Sequence, residues 1–404
     1  MFSWGKTVRK SNGIIFGNSL TNLKIMKRFF TFLFIATLFA SCTSTIGLQV
    51  LKPADITLPQ DIQKFTLVNR TRADKKNQIW NIVEGALTGE GVYQDREGAD
   101  RCLSGVMQIM QQSIRYTITQ ASIEYKGTGT EMFAPPLPWE EVDVLCKQYN
   151  SEALIVLESF DSDARLTYDS KPVEIKFPCW DVNKNGVKDA AEDVNHDKIW
   201  DSRDCSAGGH PIEDQTVTTT EFYTHAQMEV KTGWRIYFPK EKRIVDEYRF
   251  ADNMNFSGKG PTPQAATAAL PNKRECVKST GAHAGTVYGY RISPQWITVS
   301  RYFYTKGNEN MRMAGKRARQ INDWKGSMEI WKKESLNSDK KIAWHADYNM
   351  GVACEREGNL DIAMEWAKKA YEKGHKSAAA QYINSLTYRI SEKKRADEQM
   401  KGKQ

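Results

Sequence analysis

Short apolar runs alternate with helical periodicity from about residue 50 to 165. The bulky run Phe65–Val68 predicts a strand. From Ala99 to Met110 the residues Cys102, Val106 and Ile109 share one helical face, with Leu103, Met107 and Met110 beside them, which predicts a helix. Ile114–Thr119 is β-branched and alternating, the pattern of a strand. Pro138, followed by Trp139, Glu140 and Glu141, reads as a helix start with acids in its first turn, continued by Val142, Leu145, Cys146 and Tyr149. Leu154–Leu157 is continuously apolar, as a strand covered on both faces would be. A small α/β layer domain is expected.

Residues 216–250 read as an antiparallel meander: Thr216–Val230, a turn at Thr232-Gly233, Trp234–Phe238, a turn at 239–242, then Arg243–Phe250. The stretch Ser257–Asn272 reads as a loop. Its Gly258-Lys259-Gly260 lacks the spaced glycines and Lys-Ser/Thr of a phosphate loop, so no nucleotide is expected. From Ser293 the pattern turns helical, with Pro294–Tyr304 and Ser377–Ile390 as flanking helices and Ser391–Gln404 as a charged, frayed tail. Gly315, Ala318, Asp323, Trp324, Ser327 and Trp331 recur 36 residues later as Gly351, Cys354, Asn359, Leu360, Ala363 and Ala367. This resembles the tetratricopeptide repeat of about 34 residues, whose small residues let paired helices pack closely. The resemblance implies a protein-binding surface over residues 293–390; the alternative is a helical buttress on the α/β domain.

Composition confines the class. The 404 residues are 40 % apolar and 26 % charged, which excludes a disordered or polytopic membrane chain. The net charge of +8 suggests nucleic acid until its distribution is read. Residues 1–41 hold six bases and no acid, and the remaining 51 bases face 49 acids. No nucleic-acid face is expected.

Those first residues carry a targeting pattern. Met26 is the expected true start, with Lys27 and Arg28 ahead of the apolar run Phe29–Ala40, too short for the ~20 residues that span a bilayer. The run ends Phe39-Ala40-Ser41-Cys42, which resembles the lipobox of bacterial lipoproteins, with Phe39 standing where Leu is usual. The resemblance implies a signal peptide at 1–41, a lipid on Cys42, a linker over 42–63, and a membrane-anchored protein on the outer membrane facing the periplasm. Disulfides become permissible there. Cys102, Cys146 and Cys354 fall inside helical apolar patterns and read as buried thiols.

Cys179 and Cys205 bracket an acidic segment. Asp181, Asn183, Asn185, Asp189 and Glu192 occupy positions 1, 3, 5, 9 and 12 of a loop with Gly186 at its sharp turn and Val187 at the carbonyl position. The spacing resembles the EF-hand calcium loop. It restarts with Asp193, Asn195, Asp197, Asp201 and Asp204, with Ile199 at the carbonyl position. Lys198 replaces the turn glycine and Asp204 the longer Glu. With no helix between the copies, the pair is similar to the tandem loops of thrombospondin type 3 repeats. A calcium-stapled insertion over 178–206, closed by a Cys179–Cys205 disulfide, is expected.

The fold class expected is α+β: an α/β layer domain over 64–292, carrying the meander and the calcium insertion, followed by helical repeats. The order of elements is similar to envelope domains of curli-secretion lipoproteins, and the whole arrangement resembles bacterial envelope lipoproteins with a repeat tail. Neither resemblance transfers a site residue. His196, His210, His225, His283, His345 and His375 are scattered, and no nucleophile elbow or dinucleotide fingerprint occurs. The expected function is a calcium-stabilised, lipid-anchored protein-binding or scaffold module and not an enzyme. The alternatives are an envelope hydrolase using paired carboxylates, or a component of an outer-membrane secretion assembly. The latter calls for a long amphipathic hairpin that the sequence pattern does not reveal.

Overall fold

The computed structural model describes residues 43–73, 92–127, 133–179, 205–207, 210–211 and 215–401, together with Asp181, Lys184, Val187 and Lys188. The chain divides into two compact units, one of residues 51–296 with 394–404, the other of residues up to Val50 with 297–393. A mixed sheet builds the first and helices dominate the second.

In chain order the elements are β1 (Thr43–Lys52), β2 (Lys64–Ala73), α1 (Val92–Gln111), β3 (Thr117–Gly127), α2 (Trp139–Tyr149), β4 (Ala153–Phe177), the two-residue strands β5 (Ser206–Ala207) and β6 (His210–Pro211), β7 (Gln215–Phe238), β8 (Arg243–Gly260), α3 (Pro263–Ala268), α4 (Lys273–Ile292), β9 (Gln295–Tyr304), α5 (Glu309–Gln320), α6 (Trp324–Glu334), α7 (Lys340–Arg356), α8 (Leu360–Gly374) and α9 (Ser377–Met400). The larger sheet has the order β3-β2-β4-β7-β8. β2 is parallel to β3 and β4, and β7 is antiparallel to β4 and β8. Side-chain alternation sends Phe65, Leu67, Ile155 and Leu157 towards α1 and α4, and Val68, Leu154 and Val156 towards α2. Helices therefore cover both faces, and the first eight residues of β4 are all buried.

Several expectations change. Ile114 lies outside β3, which starts at Thr117. No turn occurs at Thr232-Gly233, because β7 runs unbroken for 24 residues. Gly233 instead admits Phe133: a Cβ there would sit 1.9 Å from the Phe133 ring. The region read as the loop Ser257–Asn272 contains the end of β8 and the short helix α3, started by the Thr262 hydroxyl accepting from Ala265 N–H at 3.1 Å. Pro294–Tyr304 is a strand and not a flanking helix, in keeping with its Ile-Thr-Val and Tyr-Phe-Tyr content. Residues 43–52, read as linker, form β1, the partner of β9.

The segment 391–400 is not frayed but the last turns of α9. Its Gln399 side chain accepts from Ala54 N–H at 2.8 Å and donates to Ala54 O at 3.0 Å, while Arg115 Nε donates to Gln399 O at 3.2 Å. Helix α4 had no counterpart in the sequence reading. It packs along α1 through small residues: a Cβ on Gly285 would lie 1.8 Å from Cys102 O. Close backbone approach replaces the apolar stripe that periodicity detects.

The 36-residue recurrence lands on matching places. Gly315 and Ala318 on α5, and Trp324, Ser327 and Trp331 on α6, are buried, as are Gly351 and Cys354 on α7 and Leu360, Ala363 and Ala367 on α8. Asp323 caps α6 by accepting from Gly326 N–H at 2.9 Å, whereas Asn359 makes no side-chain cap on α8. The fold is α+β, a mixed-sheet region followed by an all-helical one.

Candidate functional site

Beyond Phe160 the strand β4 leaves the core. It pairs with β7 in continuous register from Ser159 opposite Gly233 to Phe177 opposite Gln215, and every residue from Asp163 to Pro172 is exposed. β8 lines the other side of β7 as far as Phe222 opposite Gly260. A long hairpin is thus present where the sequence pattern revealed none. At its head the acidic insertion begins, closed by the Cys179–Cys205 disulfide, as the sequence led one to expect.

Of the insertion's candidate ligands, Asp181 and Val187 are described. Asp181 is 2 % exposed and its N–H donates to Pro178 O at 2.9 Å, folding the chain back at the first loop position. Lys184 follows with φ of 61°, a left-handed residue that tightens the loop further, and Val187 is exposed. Asn183, Asn185, Asp189, Glu192, Asp193, Asn195, Asp197, Ile199, Asp201 and Asp204 lie outside the described residues, as do Cys42 and the segment 1–41. Among the described residues no three His, Cys, Asp or Glu groups gather as a metal site, and no helix is long and apolar enough to cross a membrane.

The buried acids of the sheet unit are committed to partners. Glu158, fully buried directly after the Leu154–Leu157 run, accepts from Arg70 at 3.0 Å and from the Tyr237 hydroxyl at 2.7 Å, with Arg235 at 3.6 Å. Burial and the Glu158 carboxylate together push the Tyr237 phenol up to about 12. Arg70 and Arg235 also donate to the carbonyls of Pro135 and Ala134, both at 2.8 Å, so this centre pins the 133–138 segment to the sheet. Asp246 is held by Tyr288 and Arg291.

A cavity of about 430 Å³ lies at the starts of β2 and β4, lined by Asp61, Asp143, Cys146, Lys147, Glu152 and Lys240. Asp61 pairs with Lys240, and Glu152 accepts from the N–H groups of Lys64 and Gln63. His283 sits 2.6 Å from Asp252, but the nearby thiol of Cys102 is buried, and both burial and Asp252 push it up, the reverse of an activated nucleophile. Cys102, Cys146 and Cys354 are free and buried, matching the reading of them as packing residues, and so is Cys276.

In the helical unit the surface of α7 is occupied. Ile342 through Glu355 are all buried, and β9 lies against them. Asn349 Oδ1 accepts from Tyr304 N–H and its Nδ2 donates to Tyr304 O, each at 2.7 Å. Arg301 makes a two-pronged pair with Glu355 at 2.9 Å, and Tyr382 adds a hydroxyl at 3.0 Å. His345 stacks on Tyr304 with ring centres 3.8 Å apart. Burial, helped by Lys341, holds its imidazole down at about 4. Asp347 is fully buried, with Lys373 at 2.7 Å as its ion partner.

Sequence reasoning missed the Glu158 and Asn349 centres. A charged residue closing an apolar strand run, as Glu158 does directly after Leu157, was the available signal.

Comparison with known families adds two matches. A domain of unknown function, DUF8603, matches residues 62–304, and a second domain of unknown function, DUF6340, matches residues 312–389, so the first match ends with β9 and the second begins in the first turn of α5. No curated protein matches the chain. Because the first match covers more than half of the sequence and takes in the whole larger sheet with its long hairpin, the chain belongs to the DUF8603 family.

Proposed function

We propose that this chain is a lipid-anchored protein of the bacterial envelope that acts as a protein-binding scaffold, presenting a calcium-stapled head on a long β-hairpin. The observation that carries the reading is the hairpin itself: exposed paired strands that leave the core and end in a disulfide-closed acidic insertion. An exposed strand such as β4 from Asp163 to Pro172 is a surface to which another chain can add. The engaged state of the buried carboxylates favours scaffold over hydrolase.

The helical unit is tetratricopeptide-like in this reading. The surface that such a repeat offers to an extended ligand is already filled by β9, with Asn349 gripping a backbone peptide as it would a bound segment. Partner binding therefore falls to the hairpin more than to the repeats.

A second reading, a component of an outer-membrane secretion assembly, is favoured by strand length. β4 and β7 have 25 and 24 residues, against the ~9–11 that cross a bilayer.

Two measurements on intact cells test the proposal. Cys42→Ala should abolish fatty-acid labelling and release the protein from membranes. A photo-crosslinker at position 176 should capture another envelope protein, and calcium chelation should weaken that capture. Continued labelling of Cys42→Ala, or no crosslink above that of a chain without the hairpin head, would refute the scaffold reading. Crosslinks to lipid at position 168 would favour the secretion reading.

A further inference from the structure

We propose that the outer edge of β4 between Asp163 and Lys171 pairs with the same edge of a second copy of this chain, antiparallel and about a two-fold axis at Thr167. The inference rests on the hairpin alone and not on the lipid or calcium readings.

The edge is open. β2 pairs with β4 only as far as Asn69 opposite Leu157 and ends at Ala73. β4 continues to Phe177 with β7 on one side, and among the described residues no strand lies on the other. An exposed edge of this length is a template for another chain unless charge or proline blunts it.

Charge is present here, but its order is self-complementary. Register with β7 is unbroken from Ser159 onward, so Asp163, Arg165, Thr167, Asp169 and Lys171 share one face and Ala164, Leu166, Tyr168 and Ser170 the other. A two-fold axis at Thr167 sets Asp163 opposite Lys171 and Arg165 opposite Asp169, each twice. Leu166 then falls opposite Tyr168 on the reverse face, and these are 45 % and 66 % exposed. Isologous pairing requires this antisymmetry.

Neighbouring registers fail by the same arithmetic. An axis at Leu166 sets Asp163 against Asp169, and an axis at Tyr168 sets Arg165 against Lys171; like charges directly opposite are destabilising. Pro172, with no N–H to offer, closes the ladder at one end, leaving a nine-residue overlap of about 30 Å. The charges are not used up within one copy: Asp163 lies 3.7 Å from Lys231 and Asp169 4.0 Å from Lys171, both long and solvent-screened.

The test uses the full chain in detergent. Sedimentation should show a dimer at high micromolar protein. Arg165→Asp or Asp169→Arg alone should weaken it by about tenfold, and the two together should restore it, since the pair is then merely reversed. Under mild oxidation Thr167→Cys should form a cross-chain disulfide joining position 167 to itself, because residues on the axis face each other within disulfide reach. Arg165→Cys should not, because its two copies stand about 13 Å apart along the strand. A wild-type chain that stays monomeric, a reversed pair that fails to restore the dimer, or Arg165→Cys linking as readily as Thr167→Cys would overturn the proposal. All of these positions are exposed, so circular dichroism of each variant should match the wild type.

Discussion

Asn349 on α7 holds both the N–H and the carbonyl of Tyr304 on β9, with two hydrogen bonds of 2.7 Å from one side chain. A strand edge that would otherwise need a third strand is satisfied there by an amide. Replacing Asn349 with Ala leaves two backbone groups without partners at a buried place and should destabilise the chain by about 2–4 kcal/mol. Asn349→Asp keeps the acceptor and loses the donor, so it should fall between. Urea titration of the helical unit's tryptophan fluorescence measures both; an Ala variant indistinguishable from wild type would show that β9 is held by packing alone.

Glu158 is the counter-charge to two arginines. Glu158→Gln keeps the shape but strands Arg70 as a buried cation, while Arg235 retains Glu247 at 2.7 Å, at a cost of about 3–5 kcal/mol. Tyr237→Phe removes one hydroxyl and should cost about 1–2 kcal/mol. Thermal unfolding of the two variants gives the order; Tyr237→Phe proving the worse would contradict the assignment of Glu158 as the centre.

Much of this architecture was legible in the chain and some was not, for identifiable reasons. α1 and α2 announce themselves because Cys102, Val106, Val142 and Leu145 supply an apolar stripe at helical spacing. α4 does not, because Gly281, Gly285 and Gly289 bury backbone in place of side chains. The hairpin was hidden because its apolar positions change phase: Ala164, Leu166 and Tyr168 lie on one face, Val173, Ile175 and Phe177 on the other. Gly233 looked like a turn because a glycine that admits an aromatic ring and a glycine that bends the chain are the same letter. The disulfide was readable from two cysteines bracketing the acidic segment, whereas the Glu158 centre joins residues 88 and 77 positions away, and the local pattern that marks Glu158 does not name those partners.

His345 makes stability depend on acid. Its folded-state value of about 4 lies below the usual 6.5, so the unfolded chain takes up the proton first as pH falls. The contribution is fully present above about pH 6.5 and is lost progressively towards pH 4, by about 1–3 kcal/mol. His345→Phe should flatten the helical unit's stability between those limits. An equally steep fall in the variant would assign the acid sensitivity elsewhere.

Calcium should bind the hairpin head at about 10⁻⁴ to 10⁻³ M, the range of extracellular modules. Calorimetry should show heat that Asp181→Ala and Glu192→Ala sharply reduce. Cys179→Ser, which opens a loop with a sequence separation of 26, should remove about 3 kcal/mol from the head by the chain-entropy argument. No heat and no rise in melting temperature at millimolar calcium would refute the site.

The pairing of β1 with β9, fastened by Gln49 to Thr298 at 2.9 Å, sets an order of events during synthesis. Residues 43–50 leave the ribosome early, yet their partner strand is made some 250 residues later, after every strand of the larger sheet. Until then a ten-residue strand has nothing to pair with, and joining it closes one of the longest loops in the molecule. The helical unit therefore cannot be produced whole from the C-terminal segment alone. A fragment starting near residue 293 would expose the edge of β9 that β1 normally covers, and rejoining the two pieces in trans would be the direct way to supply it.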